Sequence, residues 1–375
     1  MWDHRPLLKL DLKMIVAIIT LMIISLMVIS SMTDFTVDKN LFFTPYVKSQ
    51  IKWFILGWIV FFFFAGFDYR RFYQVSFFLY ILMIVLLLGL YIAKPIQSVH
   101  RWYRIPFINM NVQPSEFAKI IVVMALGWFL EKKEREKDKV LTIIQLLFIV
   151  GIPFILILKQ PDLGTALVLY PITLIMCYFA NINKKIIYSM SFIGLSLIFL
   201  VVLIFTNVLS HEKLKPYFTK VIKEYQYARF NPKTYHQNAA KTSIALGGIT
   251  GSGWKKSEFA SQKWLPAAHT DSVFPAYSEE FGLIGVLFLL FIFYLLVHIS
   301  FGVINYAKDY YGRLLASGIA VYLAMHIIVN ITMMCGFLPI SGVPLILITY
   351  GGNSVLTTMS ALGILQNIYT RRFVF

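Results

Sequence analysis

The stretch "LPAAHTDSVFPAYSEEFGLIGVLFLLFIFYLLVHISFGVIN" (residues 265–305) joins a cluster of acids to a long apolar run. Its second half, residues 281–305, contains no Lys, Arg, Asp or Glu. About 20 such residues cross the hydrocarbon core of a bilayer when they form a helix. The stretch therefore predicts a membrane helix with a polar, acidic cluster at its edge.

Comparable apolar runs recur along the whole chain. Hydrophobic residues make up 58% of the 375 residues and charged residues only 14%, whereas a soluble domain carries about 25% charged residues. The sequence thus predicts an all-α polytopic membrane protein. We expect ten spans, at residues 12–32, 51–67, 73–93, 114–130, 140–158, 163–181, 186–206, 281–305, 314–336 and 343–367.

The distribution of Lys and Arg predicts the orientation of these spans. With the N-terminus inside, the inner segments hold more than twice as many Lys and Arg residues as the short outer segments. Short cytoplasmic loops are enriched in these residues, so both termini are predicted to be cytoplasmic. Cys177 and Cys335 fall within spans, and we expect no disulfide between them.

One long segment interrupts the alternation of helices and short loops. Residues 207–280 separate the seventh and eighth spans and, by parity, form a large extracytoplasmic loop. Basic residues outnumber acidic ones in this loop. A basic surface suits an anionic ligand at the outer leaflet, although attachment to anionic lipid headgroups explains the same charges.

The stretch "HRWYRIPFINMNVQPSEFAK" (residues 100–119) places charges at the start of the fourth span. Pro114 suits the first turn of a helix, so Glu116 and Lys119 lie three residues apart on one face. A charged pair inside a span indicates function by default. The alternatives are a structural ion pair or a Lys119 that snorkels outward. Arg101, just before, is suited to bidentate phosphate contacts.

Three further polar patches are weaker signals. In "KQPDLGT" (residues 159–165), capping of the next helix alone explains Asp162. In "YHQNAAK" (residues 235–241), Gln237 and Lys241 are candidate sugar or phosphate contacts. In "TYGGNS" (residues 349–354), the polar side chains are expected to face the interior of the helix bundle, and the glycines allow close helix packing.

The acidic cluster of the opening stretch contains the candidate catalytic base. Asp271 lies near an apolar boundary, where desolvation raises the proton affinity of a carboxylate and makes it a better general base. Glu279 and Glu280 have a simpler explanation, because acids are favoured at the N-terminus of a helix. A structural role for Asp271 remains the competing interpretation.

These clusters, in this order, resemble the SEDS family (shape, elongation, division and sporulation). The matching stretches are "RW" (101–102), "QPSEFAK" (113–119), "QPDLGT" (160–165), "GGITGSGW" (247–254), "LPAAHTD" (265–271), "EEFG" (279–282), "GFLPISGVPL" (336–345) and "YGGNS" (350–354). The resemblance covers essentially the whole chain. The "GVPL" after "LP" is more similar to the rod-shape-determining branch (RodA) than to the division branch (FtsW).

The resemblance implies a single membrane domain over residues 1–375, with a fold similar to GT-C glycosyltransferases. It implies a peptidoglycan glycosyltransferase that polymerises lipid II at the outer face of the bacterial cytoplasmic membrane. Asp271 falls on the family's essential aspartate, Glu116 and Lys119 on its membrane-edge ion pair, and Arg101 and Trp102 on its Arg-Trp pair. The substrate-binding set we expect is Arg101, Trp102, Gln113, Glu116, Lys119, Gln160, Gln237, Lys241, His269, Thr270 and Ser354.

The same resemblance predicts roles and partners. Asp271 would take the proton of the acceptor hydroxyl, while Arg101 and Lys119 stabilise the leaving pyrophosphate and His269 orients Asp271 or the sugar. A divalent cation (Mg²⁺ or Mn²⁺) is the alternative, with Asp271 as its ligand. The expected partners are lipid II, a class B penicillin-binding transpeptidase docked on the eighth and ninth spans, membrane proteins of the elongation complex and membrane lipid, with no nucleic acid.

Three competing functions remain open on the sequence. A lipid II flippase would also use many spans and buried charges, but it needs a polar path through both leaflets, and the inner halves of the spans are almost wholly apolar. A non-enzymatic scaffold would leave Glu116, Lys119 and Asp271 without a reason to gather at one depth. A polymerase of the division branch, or one for another lipid-linked glycan, would use the same residues.

Overall fold

The fold is almost wholly helical. The computed structural model describes residues 5–32, 42–93, 99–105, 110–206, 208–218, 227 and 230–373. Its α-helices are α1 (Leu12–Met32), α2 (Pro45–Gly66), α3 (Arg70–Gly89), α4 (Pro114–Lys132), α5 (Val140–Lys159), α6 (Leu163–Phe179), α7 (Lys184–Phe205), α8 (His211–Phe218), α9 (Tyr235–Leu246), α10 (Glu258–Ser261), α11 (Val273–Tyr306), α12 (Tyr310–Met334) and α13 (Gly352–Thr370). Short 3-10 helices lie at Arg5–Lys9, Glu134–Glu136 and Arg371–Phe373. A two-stranded antiparallel hairpin, β1 (Tyr103–Ile105) and β2 (Met110–Val112), precedes α4.

Seven helices within this part of the chain are long and apolar enough to cross a membrane: α1, α2, α3, α5, α7, α11 and α12. The other three predicted spans are α4, α6 and α13. The first carries charged residues, the second has only 17 residues, and the third is rich in polar residues but almost completely buried. Helices surrounded by protein do not need an apolar exterior, since polar groups in a membrane protein face the bundle interior. The predicted all-α polytopic membrane fold is confirmed.

The core of the bundle is built on α4, α12 and α13. The last helix, α13, packs most extensively against α2, while α12 contacts α4, α6 and α11. Close approach of α2 and α13 depends on glycine, because a Cβ atom at Gly363 would lie 2.6 Å from the carbonyl oxygen of Phe61. Small residues of this kind let helix backbones meet in a membrane.

The tenth span is shorter than predicted. We expected a helix over residues 343–367, but α13 begins at Gly352 and residues 335–351 form an irregular segment. The backbone is interrupted at Leu347, whose φ of 59° lies outside helical geometry, and a regular helix starts only after that residue. Pro344 does not explain the difference, because proline is tolerated in the first turn of a helix.

The second half of the irregular segment (residues 335–351) is buried, and side chains of other helices satisfy part of its backbone. The Ser25 hydroxyl donates to the carbonyl oxygen of Ile348 at 2.8 Å. The Gln50 amide donates to the carbonyl oxygen of Thr349 and accepts from the backbone N–H of Gly351. Non-helical backbone at membrane depth is tolerated only where protein surrounds it in this way.

The eighth span also differs from the prediction of residues 281–305, because α11 begins at Val273 and is broken at Gly282 (φ 61°). Glu279 and Glu280 therefore end the first part of α11 instead of beginning a helix. The glycine-rich turn over residues 247–254 packs on this break: the Ser252 N–H donates to the carbonyl oxygen of Glu279 at 2.9 Å, and the Leu283 N–H donates to that of Gly248 at 2.9 Å.

The Glu279 carboxylate has a structural role in the loop. It accepts hydrogen bonds from the backbone N–H groups of Glu258 (2.7 Å) and Phe259 (3.1 Å), and from the Ser243 hydroxyl (2.9 Å). Three donors from two parts of the loop thus converge on one buried acid. The predicted helix-terminus role of this glutamate was wrong because its partners are 20 or more residues away in the sequence.

Candidate active site

The β1–β2 hairpin is fixed to the turn between α5 and α6. Arg101 donates from Nε to the carbonyl oxygen of Gln160 at 2.9 Å and from Nη2 to that of Pro161. Trp102 donates from Nε1 to Oε1 of Gln113 at 3.1 Å. Two of the five guanidinium N–H groups are thereby used to place Arg101, and three are left for an anion.

Asp162 is the acceptor that ties three elements together. Its Oδ2 accepts from the Gln113 amide and the Ser115 hydroxyl, both at 2.9 Å, and its Oδ1 accepts from the backbone N–H of Thr165 at 3.4 Å. The last of these contacts caps α6, as the sequence predicted. The Asp162 carboxylate is thus fully engaged by protein donors.

Glu116 and Lys119 form an ion pair inside the bundle. The Lys119 Nζ lies 2.7 Å from Oε1 of Glu116, and the lysine is 0% exposed. The predicted pair on one face of α4 is therefore present, and Lys119 does not snorkel to the membrane surface. Oε2 of Glu116 is buried and has no hydrogen-bond partner among the residues that the structure describes.

Two side chains of α12 that the sequence analysis did not identify also belong to this site. His326 Nε2 lies 2.8 Å from the Lys119 Nζ. Asn330, one helical turn further along, donates to the carbonyl oxygens of Val343 (2.8 Å) and Asp271 (3.3 Å). The available signal was the i, i+4 spacing of two polar residues in the apolar stretch "MHIIVN" (residues 325–330), which places both on one face.

Asp271 lies between the outer loop and the irregular segment. The side chain is half-buried, and a Cβ atom at Gly342 would lie 3.8 Å from its Oδ2. Within the described ranges the carboxylate makes no hydrogen bond and no ion pair. Burial raises the pKa of Asp271, the positive charge of Arg101 partly opposes this, and the negative charge of Asp162 adds to it.

The irregular segment also holds the backbone on either side of this carboxylate. The Tyr350 N–H donates to the carbonyl oxygen of His269 at 3.0 Å, and the Thr349 hydroxyl donates to that of Thr270 at 3.4 Å. The His269 ring packs between Tyr46 and Tyr350, with ring centroids 5.2 and 5.9 Å away. Burial lowers the pKa of His269, which keeps the imidazole neutral at physiological pH.

Several predicted substrate-binding residues use their polar groups on protein contacts. The Gln160 amide donates to the carbonyl oxygen of Leu87, and the Gln237 amide donates to those of Met333 and Leu338. The Thr270 hydroxyl donates to the carbonyl oxygen of Ala267 at 3.3 Å. The Gln160 contact joins the ends of α3 and α5, whereas the Gln237 and Thr270 contacts position the outer loop. A role in substrate binding stays a prediction for these residues.

Lys241 and Ser354 occupy two other places. The Lys241 side chain passes over Gly336, where a Cβ atom would come within 1.8 Å of the lysine Cε. Ser354 is buried in the first turn of α13. Substrate binding by either residue likewise stays a prediction.

The candidate site therefore combines an unpaired carboxylate of raised pKa, an arginine with free donors and a buried lysine. The fold defines the chain as a polytopic membrane protein. The family described as "Cell cycle protein", which covers FtsW, RodA and SpoVE, matches residues 7–373. The chain belongs to this family, and the resemblance to SEDS proteins is confirmed.

Relatives and solved structures agree with this membership. The chain is 30% identical over 96% of its length to a probable peptidoglycan glycosyltransferase FtsW of Trichlorobacter lovleyi, of which it covers 93%. It is 28% identical over 99% of its length to the peptidoglycan glycosyltransferase MrdB of Escherichia coli strain K12, of which it covers 95%.

Two solved structures share the fold. A chain of a peptidoglycan synthase complex that coordinates polymerisation and crosslinking matches with a TM-score of 0.77 at 22% identity, over 98% of this chain and 99% of that one. The rod shape determining protein RodA of Thermus thermophilus matches with a TM-score of 0.69 at 21% identity, over 98% of both chains.

Proposed function

We propose that this chain polymerises lipid II into glycan strands during cell elongation and releases undecaprenyl pyrophosphate. The enzyme class, peptidoglycan glycosyltransferase, is confirmed. The observation that carries the mechanism is the Asp271 carboxylate, which is half-buried and unpaired within the described part of the chain and has a pKa raised by burial. A paired carboxylate is a weaker base, because its partners stabilise the ionised form.

Asp271 acts as general base in an inverting transfer. The sugar of lipid II is α-linked to pyrophosphate and the polymer is β-1,4 linked, so a single displacement inverts the anomeric carbon. The acceptor 4-hydroxyl oxygen bonds to that carbon, and its proton passes to Asp271. The bond from the carbon to the pyrophosphate oxygen breaks, and the electron pair leaves with undecaprenyl pyrophosphate. A positioned base contributes on the order of 10²–10⁴-fold.

Arg101 and Lys119 stabilise the charge that grows on the leaving pyrophosphate. Both are anchored by protein acceptors and both keep donors in reserve. Arg101 gives two of five N–H groups to backbone carbonyls, and Lys119 gives two of three to Glu116 and His326. Donors fixed before the reaction stabilise developing charge without reorganisation.

The residues of the site fit a divalent cation only if the substrate shares it. The described residues contain no group of three or more His, Cys, Asp or Glu that could hold a metal by itself. Mg²⁺ is, however, commonly held by one or two carboxylates together with substrate phosphates. Asp271 is the carboxylate that would hold it, and the cation would supply charge neutralisation at the pyrophosphate.

The assignment to elongation rests on a short stretch of sequence. The "GVPL" after "LP" (residues 338–345) favours the rod-shape branch, and relatives of both branches match the chain. Depletion of the protein in its own host distinguishes the two roles. Round cells are expected for a role in elongation, whereas filaments with unfinished septa would assign the chain to division.

The site is proposed to face the outside of the bacterial cytoplasmic membrane, with both termini inside. The excess of Lys and Arg in the inner segments supports this orientation. A tail of undecaprenyl pyrophosphate lying in the bilayer presents its pyrophosphate at headgroup depth, and Asp271 is proposed to lie at that depth. Reporter fusions after residue 373 and in the loop before α9 should report opposite sides of the membrane.

A class B penicillin-binding transpeptidase is the proposed partner. The fold neighbour from a synthase complex that coordinates polymerisation and crosslinking supports a partner of this kind. Of the two expected docking helices, α11 exposes an apolar row that includes Leu287, Phe291 and Tyr294, whereas α12 is mostly buried. The larger part of the contact is therefore assigned to α11. Polar substitutions in this row should release the partner, and unchanged association would refute that placement.

Polymerisation by the purified protein tests the proposed function. The protein and its transpeptidase partner are reconstituted in liposomes with labelled lipid II, and glycan strands are separated by gel. Strands that require this protein are expected. Transfer of lipid II between leaflets without any strands would instead support a flippase.

A further inference from the structure

The Lys119 ammonium lies between two acceptors inside the helix bundle. Oε1 of Glu116 is 2.7 Å away on one side, and Nε2 of His326 is 2.8 Å away on the other. Lys119 and His326 are both 0% exposed. Two of the three N–H groups of the Lys119 ammonium therefore donate to fixed acceptors. Because the ammonium is tetrahedral, these two bonds also determine the direction of the third N–H group.

The hydrogen bonds of His326 define which of its nitrogens carries the proton. An ammonium can only donate, so Nε2 must accept from Lys119. Nδ1 lies 3.1 Å from the carbonyl oxygen of Pro344, which can only accept, so Nδ1 must carry the hydrogen. His326 is thus a neutral imidazole in its Nδ1–H tautomer, and a doubly protonated ring would place a second positive charge against Lys119.

The ring has little freedom to move from this position. It packs against Tyr322 with ring centroids 4.7 Å apart, and the Lys119 Nζ lies 5.5 Å from the centroid of the same tyrosine ring. The Tyr322 hydroxyl lies 3.4 Å from that of Thr358 on α13. The lysine, the histidine and the tyrosine therefore form one packed cluster.

His326 also connects this cluster to the neighbourhood of Asp271. Pro344, which accepts its Nδ1–H, is two residues from Gly342, the residue that faces the Asp271 carboxylate. Asn330 holds the residue between them, Val343, and the backbone of Asp271 itself. One face of α12 thus fixes the irregular segment between the lysine and the carboxylate.

We propose that His326 is a positioning residue for the transfer reaction: it holds the Lys119 ammonium at a fixed distance from Asp271 through the carbonyl of Pro344. The inference rests on the proposed function, because Lys119 is the group that stabilises the leaving pyrophosphate. Its chemical requirement is a side chain at position 326 that accepts one hydrogen bond and donates another. A glutamine amide also meets this requirement, whereas an aliphatic side chain does not.

The test compares three variants of the full-length protein, reconstituted with its transpeptidase partner and lipid II. His326→Leu should lower kcat by on the order of 10–100-fold, the range expected when a reacting group is displaced by about 1 Å, and should leave KM for lipid II nearly unchanged. His326→Gln should restore kcat to within about threefold. His211→Leu is the matched control, because this histidine belongs to α8 of the outer loop, where it stacks on Tyr227, and lies in neither α11 nor α12.

Two results would overturn the proposal while leaving the polymerase intact. One is a His326→Leu protein as active as wild type; the other is a His326→Gln protein that is folded, binds its partner and is as defective as the leucine variant. Nitrogen NMR of histidine-labelled protein supplies a readout that does not depend on activity. It should show the Nδ1–H tautomer for one histidine, whose Nε2 resonance shifts in Lys119→Met. If the Nε2 resonance does not shift in Lys119→Met, the proposal is overturned, whether or not the protein makes glycan strands. If the resonance shifts but the wild-type protein makes no glycan strands, the contact between Lys119 and His326 is retained and the polymerase function is rejected.

Discussion

Two acidic sites of the protein differ in how their charges are balanced. The Glu116 carboxylate is buried in α4 and paired with a lysine at 2.7 Å. The Asp271 carboxylate is half-buried at the start of α11 and unpaired within the part of the chain that the structure describes. A buried charge is maintained only when it is partnered, whereas a base must keep a lone pair available. The first site is therefore suited to placing a charge, and the second has the property that the proposed base requires.

Removal of the unpaired charge should give the largest effect on activity. Asp271→Asn should lower the rate of lipid II polymerisation by on the order of 10²–10⁴-fold, because the amide cannot take up the proton of the acceptor 4-hydroxyl group. The same substitution should not reduce stability. Folding raises the pKa of this carboxyl, so the ionised form is less favourable in the folded protein than in the unfolded chain.

The pH dependence of that stability effect has a definite sign. At neutral pH Asp271→Asn should unfold at the same temperature as wild type or a higher one. The gain should disappear as the pH falls, since the wild-type carboxyl becomes neutral below its unfolded pKa. Thermal unfolding in detergent across a pH series measures this difference. A large loss of stability at neutral pH would show that Asp271 is a structural residue after all.

Removal of one partner from the paired site should act mainly on stability. Glu116→Gln leaves Lys119 as an uncompensated buried charge, and breaking a buried pair in this way costs about 3–5 kcal/mol. The double substitution Glu116→Gln with Lys119→Met should recover most of that stability, since no charge then remains. It should not recover polymerisation. Recovery of activity in the double variant would contradict the proposed role of Lys119.

A smaller effect is expected at Asp162, whose carboxylate is engaged by three protein donors. Asp162→Asn keeps the cap geometry but weakens the bonds from Gln113 and Ser115. A cost of about 1–2 kcal/mol is expected, because the Asn amide has one acceptor oxygen instead of two and a buried donor loses its acceptor. Activity should fall far less than in Asp271→Asn. Equal losses of activity in Asp162→Asn and Asp271→Asn would contradict the claim that the unpaired aspartate is the base and the paired one is structural.

Local patterns in the sequence were sufficient for the helices and for the ion pair. Membrane length and apolar composition identified the spans, and the three-residue spacing after Pro114 placed Glu116 and Lys119 on one face. The extent of a span and the shared face of Glu116 and Lys119 each depend only on residues of a single helix. The cap at Asp162 was predicted for the same reason, because its acceptor and its donor at Thr165 are three residues apart.

Contacts between distant parts of the chain were not predictable in this way. His326 lies 207 residues from Lys119 in the sequence, and a single histidine in an apolar span gives no sign of its partner. Glu279 was assigned to a helix terminus because its loop donors are remote. Residues 343–351 were predicted as helix from their apolar composition, and nothing local in the sequence indicates the positive φ of Leu347 that interrupts the helix there.

The pH dependence of the initial polymerisation rate tests most directly whether Asp271 is the base. Wild type should lose activity on the acid side with an apparent pKa above the ordinary aspartate value of about 3.9. Asp162→Asn should move that acid limb to lower pH, because the Asp162 charge raises the pKa of Asp271. Arg101→Gln should move it to higher pH, because the Arg101 charge lowers it. An acid limb that neither substitution moves would assign the titration to another group and contradict the account.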